Sequence, residues 1–262
     1  MPVQIYHRAV VSPKAELADG VRVEPFAVIE DEVVIGENTV VGPHVCIYDG
    51  ARIGKECKFF PGASISAPPQ DLKYKGEATL LEVGDKTVVR EYVTLNKGTA
   101  ESGKTAIGSN VFIMAYAHIG HDCRVGNNII LANCVALGGF VEIEDWVIIG
   151  GLSPVHQFTR IGAHAMIGGH FRVTKDVPPY ILAGHQPLIF EGLNRVGLKR
   201  RGFSQDTIDL LDKAYYILYR SNLNVSQAVA RIKEEMELTP EIQSVLSFIE
   251  KSKRGIISKR YV

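Results

Sequence analysis

The stretch IGSNVFIMAYAHIGHDCRVGNNIILANCVALGGFVEI, residues 107–143, decides the fold. Stepping through it by six from Ile107 gives Ile113, Ile119, Val125, Leu131, Leu137 and Ile143, an aliphatic column. Neither a helix, with a period of about 3.6, nor a simple strand, with a period of about 2, produces that spacing. Toward the C-terminus the column continues through Ile149, Val155, Ile161 and Ile167 to Val173. Toward the N-terminus it returns as Val83, Val89 and Leu95, and then runs unbroken from Ile65 back to Ile5. Four positions after the early column members stand small or β-branched residues: Ala9, Ala15, Val21, Ala27, Val33, Thr39, Val45, Ala51, Cys57 and Ala63.

This pattern predicts a parallel β-helix. Each short strand turns one aliphatic residue inward, a small residue fills the neighbouring inward slot, and polar residues or Gly take the corners. Gly follows the column at once in IGEN, VGPH, IGKE, VGDK, IGSN, VGNN, IGGL, IGAH and IGGH, and is predicted to supply positive φ at the turns. Whole hexads number 25, which at three faces per coil gives about eight coils. Segments 66–82 and 100–106 break the period and should be loops leaving the scaffold, where sites usually lie.

Composition excludes other classes. The 262 residues carry 29 Lys+Arg against 29 Asp+Glu, with 46% hydrophobic and 22% charged residues, so disorder, collagen and low-complexity polymers are ruled out. Cys46, Cys57, Cys123 and Cys134 show no CxxC spacing, which points to a reducing compartment rather than a disulfide or zinc framework. With no signal-like N-terminus and no uncharged apolar run of about 18 residues, the chain reads as cytoplasmic and not inserted in a membrane. Residues 191–262 hold 13 basic and 9 acidic side chains, leaving 16 and 20 for residues 1–190. A tail of that modest charge is too weak for nucleic acid, but it suits an acidic partner or a phosphorylated ligand.

From about Asn194 the period becomes helical. NRVGLKRRG, a helix capped by Ser204, VSQAVARIKEEME, and a helix opened by Thr239-Pro240 and closed before Gly255 follow in order. Pro178-Pro179 marks the end of the solenoid, with an irregular linker to Glu191, giving a β-helix domain over 1–190 and an α-helical domain over 191–262. Leu210, Leu211, Ala214, Ile217 and Leu218 read as core between these helices.

The densest histidine cluster is AHIGHDC, with His118 and His121 three apart. His121 follows the column residue Ile119 by two positions, at a corner rather than in the core. One coil is 18 residues, so position 139 stacks on position 121, and it is Gly139. A histidine beside an unobstructed backbone N–H supplies a base and an oxyanion donor, the minimal kit for acyl transfer.

The blocks SAPPQDLKYKGE, AHIGHDCRVGNN, IIGGLSPVHQF, DVPPY and GLKRRGF, matched in order over nearly the whole chain, resemble the UDP-N-acetylglucosamine O-acyltransferase family of hexapeptide-repeat transferases. That resemblance implies a left-handed β-helix, whereas the general rule for parallel crossovers predicts a right-handed one. It also implies a homotrimer with active sites between neighbouring prisms, and transfer of an (R)-3-hydroxyacyl group from acyl carrier protein to the sugar 3-hydroxyl, the step that opens lipid A biosynthesis. No cofactor is implied beyond the phosphopantetheine that carries the donor, and no metal. By the resemblance, His121 is the general base, Asp122 the carboxylate that orients it, and Gly139 the oxyanion donor. His118, His156 and Gln157 line the cleft, and Asp71 and Lys73 lie in a loop that holds sugar and phosphate. Asn194, Arg200 and Arg201 face nucleotide and phosphate, for which the Arg fork is apt. Gly169 and His170 fall at the acyl-length ruler.

Asn96, Phe140 and Val196 depart from the family pattern near sugar and nucleotide. Related readings are an acyltransferase using a 3-amino sugar or a coenzyme A donor. A three-histidine zinc carbonic anhydrase on the same fold leaves the tail and loop blocks unexplained. A non-catalytic scaffold would need regular outward Thr arrays, which are absent from this sequence. The basic end, Lys251, Lys253, Arg254, Lys259 and Arg260, is a candidate dock for the acidic carrier protein.

Overall fold

The computed structural model describes residues 1–259, and in it the period of six becomes a three-sided prism. Among these residues, 25 short strands run from Gln4–Ile5 to Met166–Ile167, and each contains one member of the aliphatic column. Every third strand joins the same sheet in parallel: Gln4 pairs with Arg22 and Ile5 with Val23, one coil of 18 residues on. The first sheet, begun by Gln4–Ile5, has 12 strands; the second, begun by Val10–Val11, and the third, begun by Glu16–Leu17, have 8 each. The coil is left-handed. The usual right-handed rule rests on twisted strands feeding a crossover helix; here strands of two to four residues, with no helix between them, supply neither.

The column fills the core, with Val23, Ile35, Val41, Leu95, Ile119, Leu131 and Ile161 all at most 1% exposed. Four polar residues in the second inward slot reach the next coil. Thr39 Oγ1 donates to Gly54 O at 3.0 Å, Thr87 Oγ1 to Gly108 O at 3.1 Å, Cys123 Sγ to Gly138 O at 3.1 Å and Ser153 Oγ to Gly168 O at 3.2 Å. Burial pushes the Cys57 thiol up to about 11 and the Cys123 thiol up to about 12, so both fill space as neutral thiols.

The corner glycines act differently from expectation. Positive φ falls on the third residue after the column and seldom on Gly: Asn38, Asn110 and Asn128, but also Asp122, Phe140, Trp146 and His164, at φ 57–66°. The Gly directly after the column is there for close approach. A Cβ at Gly108 would lie 2.6 Å from Gly126 O, and one at Gly150 would lie 2.3 Å from Gly169 N. Rings at the strained corners stack from coil to coil, as in Phe26–His44 at 4.9 Å, Tyr92–Tyr116 at 5.2 Å and Phe140–Phe158 at 4.8 Å.

The two ends differ. Ile5 is 52% exposed in the first coil. At the other end, the segment expected to be an irregular linker is instead an antiparallel hairpin, Ile181–Gly184 with Ile189–Leu193, that extends the first sheet. Its edge is paired again by Ser258–Lys259. Four helices follow the hairpin: α1 (Arg195–Arg200), α2 (Gln205–Arg220), α3 (Val225–Glu235) and α4 (Pro240–Glu250). Ser204 and Thr239 cap α2 and α4 as expected, and Asn224 with Gln227 forms a capping box on α3. Leu211, Ala214, Ile217 and Leu218 are buried, and the Tyr215 hydroxyl donates to Pro179 O at 2.6 Å, tying α2 to the prism. Arg260 lies outside the described residues. Among the described residues, no helix is long and apolar enough to cross a membrane.

Candidate active site

The first period-breaking segment is shorter than the sequence suggested, spanning 68–79, and the second keeps its length but begins three residues earlier, spanning 97–103. Strands Ser64–Ala67, Leu80–Val83 and Lys104–Ile107 reach into the expected loops because Leu80 and Leu81 pair with Lys104 and Thr105 on the next coil. Each segment joins a second-sheet strand to a third-sheet strand, so both leave the prism at one edge. They are tied together there: Thr79 Oγ1 donates to Gly98 O at 2.5 Å, and the Gly98 N–H to Leu80 O at 3.1 Å.

The next coil places His121 and Asp122 on that edge, with Gly139 and Gln157 one and two coils further. A Cβ at Gly139 would lie 2.6 Å from His121 Cε1 and 2.7 Å from Nε2, so the imidazole rests on the bare backbone. Among the described residues the Gly139 N–H has no acceptor, an unusual state for a buried donor. The ring meets Phe140 edge-on at 5.5 Å.

His121 Nδ1 lies 2.7 Å from Asp122 Oδ2. The Asp122 side chain is fully buried, and burial raises its pKa. Hydrogen bonds from Ser102, His121 and Thr99 outweigh that and hold the carboxyl below the ordinary value. A carboxylate only accepts, so the His121 proton sits on Nδ1 and the Nε2 lone pair is left facing Gly139. The Asp122 N–H donates to Thr105 Oγ1 at 2.8 Å, anchoring a residue with φ of 61°.

His118 stands on the second sheet with Nδ1 2.7 Å from Thr94 Oγ1. Burial, then the nearby His121, hold its pKa below the ordinary value, so it is a neutral ring. His156 Nδ1 is 2.9 Å from Gln157 O. Asp71 Oδ1 accepts from the Lys73 N–H at 2.9 Å, leaving the Lys73 side chain exposed on the loop. Asn96 donates to Ala67 O and Pro68 O at 3.2 and 2.9 Å, and its buried Oδ1 has no partner.

The other predicted site residues lie elsewhere on the prism. Gly169 and His170 are exposed where the first sheet turns to the second. Asn194 caps α1, accepting from the Gly197 N–H at 3.1 Å and donating to His164 O at 3.0 Å. Arg201 lies over Trp146, 5.3 Å from the ring centre, and Arg200 and Val196 are exposed beside it. One chain therefore gathers His121, Asp122, Gly139, Gln157, His118 and the Asp71 loop on one side, but does not bring Gly169, His170, Arg200 or Arg201 to them. The sequence reading missed Thr94, Thr99, Ser102 and Thr105. The signal for the last three was a run of hydroxyls in TAESGKT, the break one coil below His121-Asp122. Among the described residues no three His, Cys, Asp or Glu side chains converge as a metal site would require.

A coil of hexapeptide repeats carrying a carboxylate-oriented imidazole against a free backbone N–H defines a hexapeptide-repeat acyltransferase. Residues 104–139 match the bacterial transferase hexapeptide repeat, and residues 176–257 match domain 2 of UDP-N-acetylglucosamine O-acyltransferase. An acyl-[acyl-carrier-protein]–UDP-N-acetylglucosamine O-acyltransferase from Thermodesulfovibrio yellowstonii is 49% identical over 254 residues, covering 97% of this chain and 98% of that protein. One of the same description from Herminiimonas arsenicoxydans is 45% identical over 97% of this chain and 98% of its own length. The UDP-N-acetylglucosamine acyltransferase structure from Francisella novicida superposes with a TM-score of 0.95 at 41% identity, covering 98% of this chain and 94% of that one. The chain belongs to the acyl-[acyl-carrier-protein]–UDP-N-acetylglucosamine O-acyltransferase family.

Proposed function

We propose that this chain transfers an (R)-3-hydroxyacyl group from acyl carrier protein to the 3-hydroxyl of UDP-N-acetylglucosamine, the opening step of lipid A biosynthesis, in the cytoplasm and as a homotrimer. The observation that carries the reading is the Asp122–His121–Gly139 arrangement, in which a lone pair on Nε2 and an unpaired N–H face one space. His121 Nε2 takes the proton from the sugar 3-hydroxyl as its oxygen attacks the thioester carbonyl carbon. The Gly139 N–H donates to the developing oxyanion. Collapse of the tetrahedral intermediate breaks the C–S bond, and the imidazolium returns its proton to the departing thiolate. Asp122 holds the imidazole in register and stabilises its charge between the two transfers. No cofactor is needed beyond the prosthetic arm that carries the acyl group.

The placement of the remaining residues supports an assembly such as the trimer. Gly169, His170, Arg200 and Arg201 stand away from the edge that carries His121, so a site using all of them takes two sides from different chains. In that arrangement Asp71 and Lys73 lie in the loop that holds sugar and phosphate, and His118, His156 and Gln157 line the cleft. Asn194, Arg200 and Arg201 face the nucleotide, and Gly169 and His170 end the acyl groove. The test is incubation with UDP-N-acetylglucosamine and a mixture of (R)-3-hydroxyacyl carrier proteins, read by mass spectrometry. A mono-acylated nucleotide sugar is the expected product. Absence of acylation by a folded trimer, with acylation only of a 3-amino sugar or only from coenzyme A, overturns the assignment of acceptor or donor.

A further inference from the structure

The segment 97–103 is more than a loop beside the site, because it converges on a single carboxylate. Asp122 Oδ1 accepts from the Thr99 N–H at 2.9 Å and from Ser102 Oγ, while Oδ2 accepts from Thr99 Oγ1 at 2.8 Å and faces His121 Nδ1 at 2.7 Å. A carboxylate offers about four acceptor directions, and all four are taken. A protonated Asp122 would have to expel one of these donors. The loop is itself closed by the Gly103 N–H on Thr99 O at 2.8 Å, and Ser102 Oγ also lies 2.9 Å from Lys104 O. Its other end is buried: Lys97 Nζ, on a side chain 4% exposed, reaches Asp49 Oδ1 at 2.9 Å.

We infer that Thr99 and Ser102 are positioning residues, whose hydroxyls, with the Thr99 N–H, saturate Asp122 and thereby fix His121 with its proton on Nδ1 and its lone pair on Nε2. The inference rests on the proposed acyl transfer for its kinetic consequence, but not for its chemistry, since the tautomer is a property of the free protein. The groups around Asp122 are His121 and His118 on its own coil, the neutral Cys123 thiol, Arg124 on the following strand, Lys104 and Thr105 on the strand below, Glu101 in the loop, and Phe140 above. Lys104 is paired with Glu82 at 2.8 Å, so the loop donors are the nearest stabilisers of the carboxylate.

Two readouts test it. In the first, nitrogen-15 NMR of imidazole-labelled protein is expected to show His121 protonated on Nδ1 alone in the wild type and as a tautomer mixture in the Thr99→Val/Ser102→Ala variant. An unchanged tautomer in that variant overturns the inference whether or not the enzyme acylates UDP-N-acetylglucosamine. In the second, Ser102→Ala and Thr99→Val each lower kcat by about ten- to a hundredfold with KM within about twofold, the scale of a lost hydrogen bond to a charged group. With donors removed, the Asp122 carboxyl takes up a proton more readily, so the acid limb of kcat/KM moves to higher pH. Thr99→Ser, which keeps the hydroxyl, restores both. Wild-type kcat with an unmoved limb in the double variant also overturns the inference.

Discussion

The corners at Gly139 and at Asn127 occupy the same place in the repeat, two residues past a buried aliphatic side chain, and differ in what meets the backbone N–H. On the edge where the third sheet turns to the first, four such N–H groups in succession are each met by a side chain one coil on. Lys55 donates to Asp85 Oδ1 at 3.0 Å, Asp85 to Ser109 Oγ at 3.0 Å, Ser109 to Asn127 Oδ1 at 2.8 Å and Asn127 to Asp145 Oδ1 at 2.7 Å. On the edge where the second sheet turns to the third there is no such ladder: the residue one coil beyond Gly139 is Gln157, and the buried Gly139 N–H is left without an acceptor among the described residues. The repeat creates a corner donor in every coil, and buried donors must be satisfied. Where Asp, Asn and Ser satisfy them the corner is structure; where they do not, a ligand oxygen can.

The largest effect that would sharpen this contrast comes from His121→Ala. It removes the base without touching the ladder, so kcat should fall by about a hundred- to ten-thousandfold while circular dichroism and oligomeric state stay as in the wild type. Near-wild-type turnover would take His121 out of the reaction. Gly139→Ala comes next. Its φ is not in the left-handed region, so the backbone tolerates a side chain, but the new Cβ would sit 2.6 Å from the imidazole and displace it. A loss of about a hundred- to a thousandfold in kcat with little change in melting temperature is expected. Unfolding instead would show that the open corner is needed for the fold.

The difference in legibility between these two corners has a physical cause. The column of six needs only one side-chain class per repeat, so the 25 strands from Ile5 to Ile167 can be counted in the amino-acid sequence alone. The stacking of Gly139 on His121 follows from the same 18-residue coil and was legible for that reason. The role of the glycines was not. A sequence shows that Gly follows the column but not whether it is there for φ or for contact, and the answer depends on the backbone of the next coil. Thr99 and Ser102 were hidden for a related reason: they lie where the period fails, so no register connects them to Asp122. The hairpin after Pro178-Pro179 was missed because its strand pairing is long-range and its first strand carries no hexad signal.

A change confined to the closed edge should do the reverse of the first two. Asp145→Ala removes the acceptor for the Asn127 N–H and should lower stability by about 1 kcal/mol, read from the urea midpoint, with kcat unchanged. A matching fall in kcat would mean that the two edges are coupled through the coil.

The smallest effect concerns a histidine that shares a corner with this ladder and does no chemistry in the proposed mechanism. His164 stacks between Trp146 and Tyr180, with ring centres 6.2 and 5.5 Å away, and Arg201 lies 3.4 Å from its Nδ1. Burial, then the Arg201 charge, bring its pKa down to about 4. The folded protein therefore keeps a neutral ring over the range in which the unfolded chain takes up a proton. Stability from this group is complete above the ordinary histidine value and declines as pH falls toward about 4. The wild type should melt at a lower temperature at pH 5 than at pH 7.5. His164→Phe, which keeps the stack, should shrink that difference but leave a residue of it from His118, whose pKa is also lowered by burial. An undiminished pH dependence in His164→Phe would place the acid sensitivity on the His121 edge instead, and with it the boundary between the structural corner and the working one.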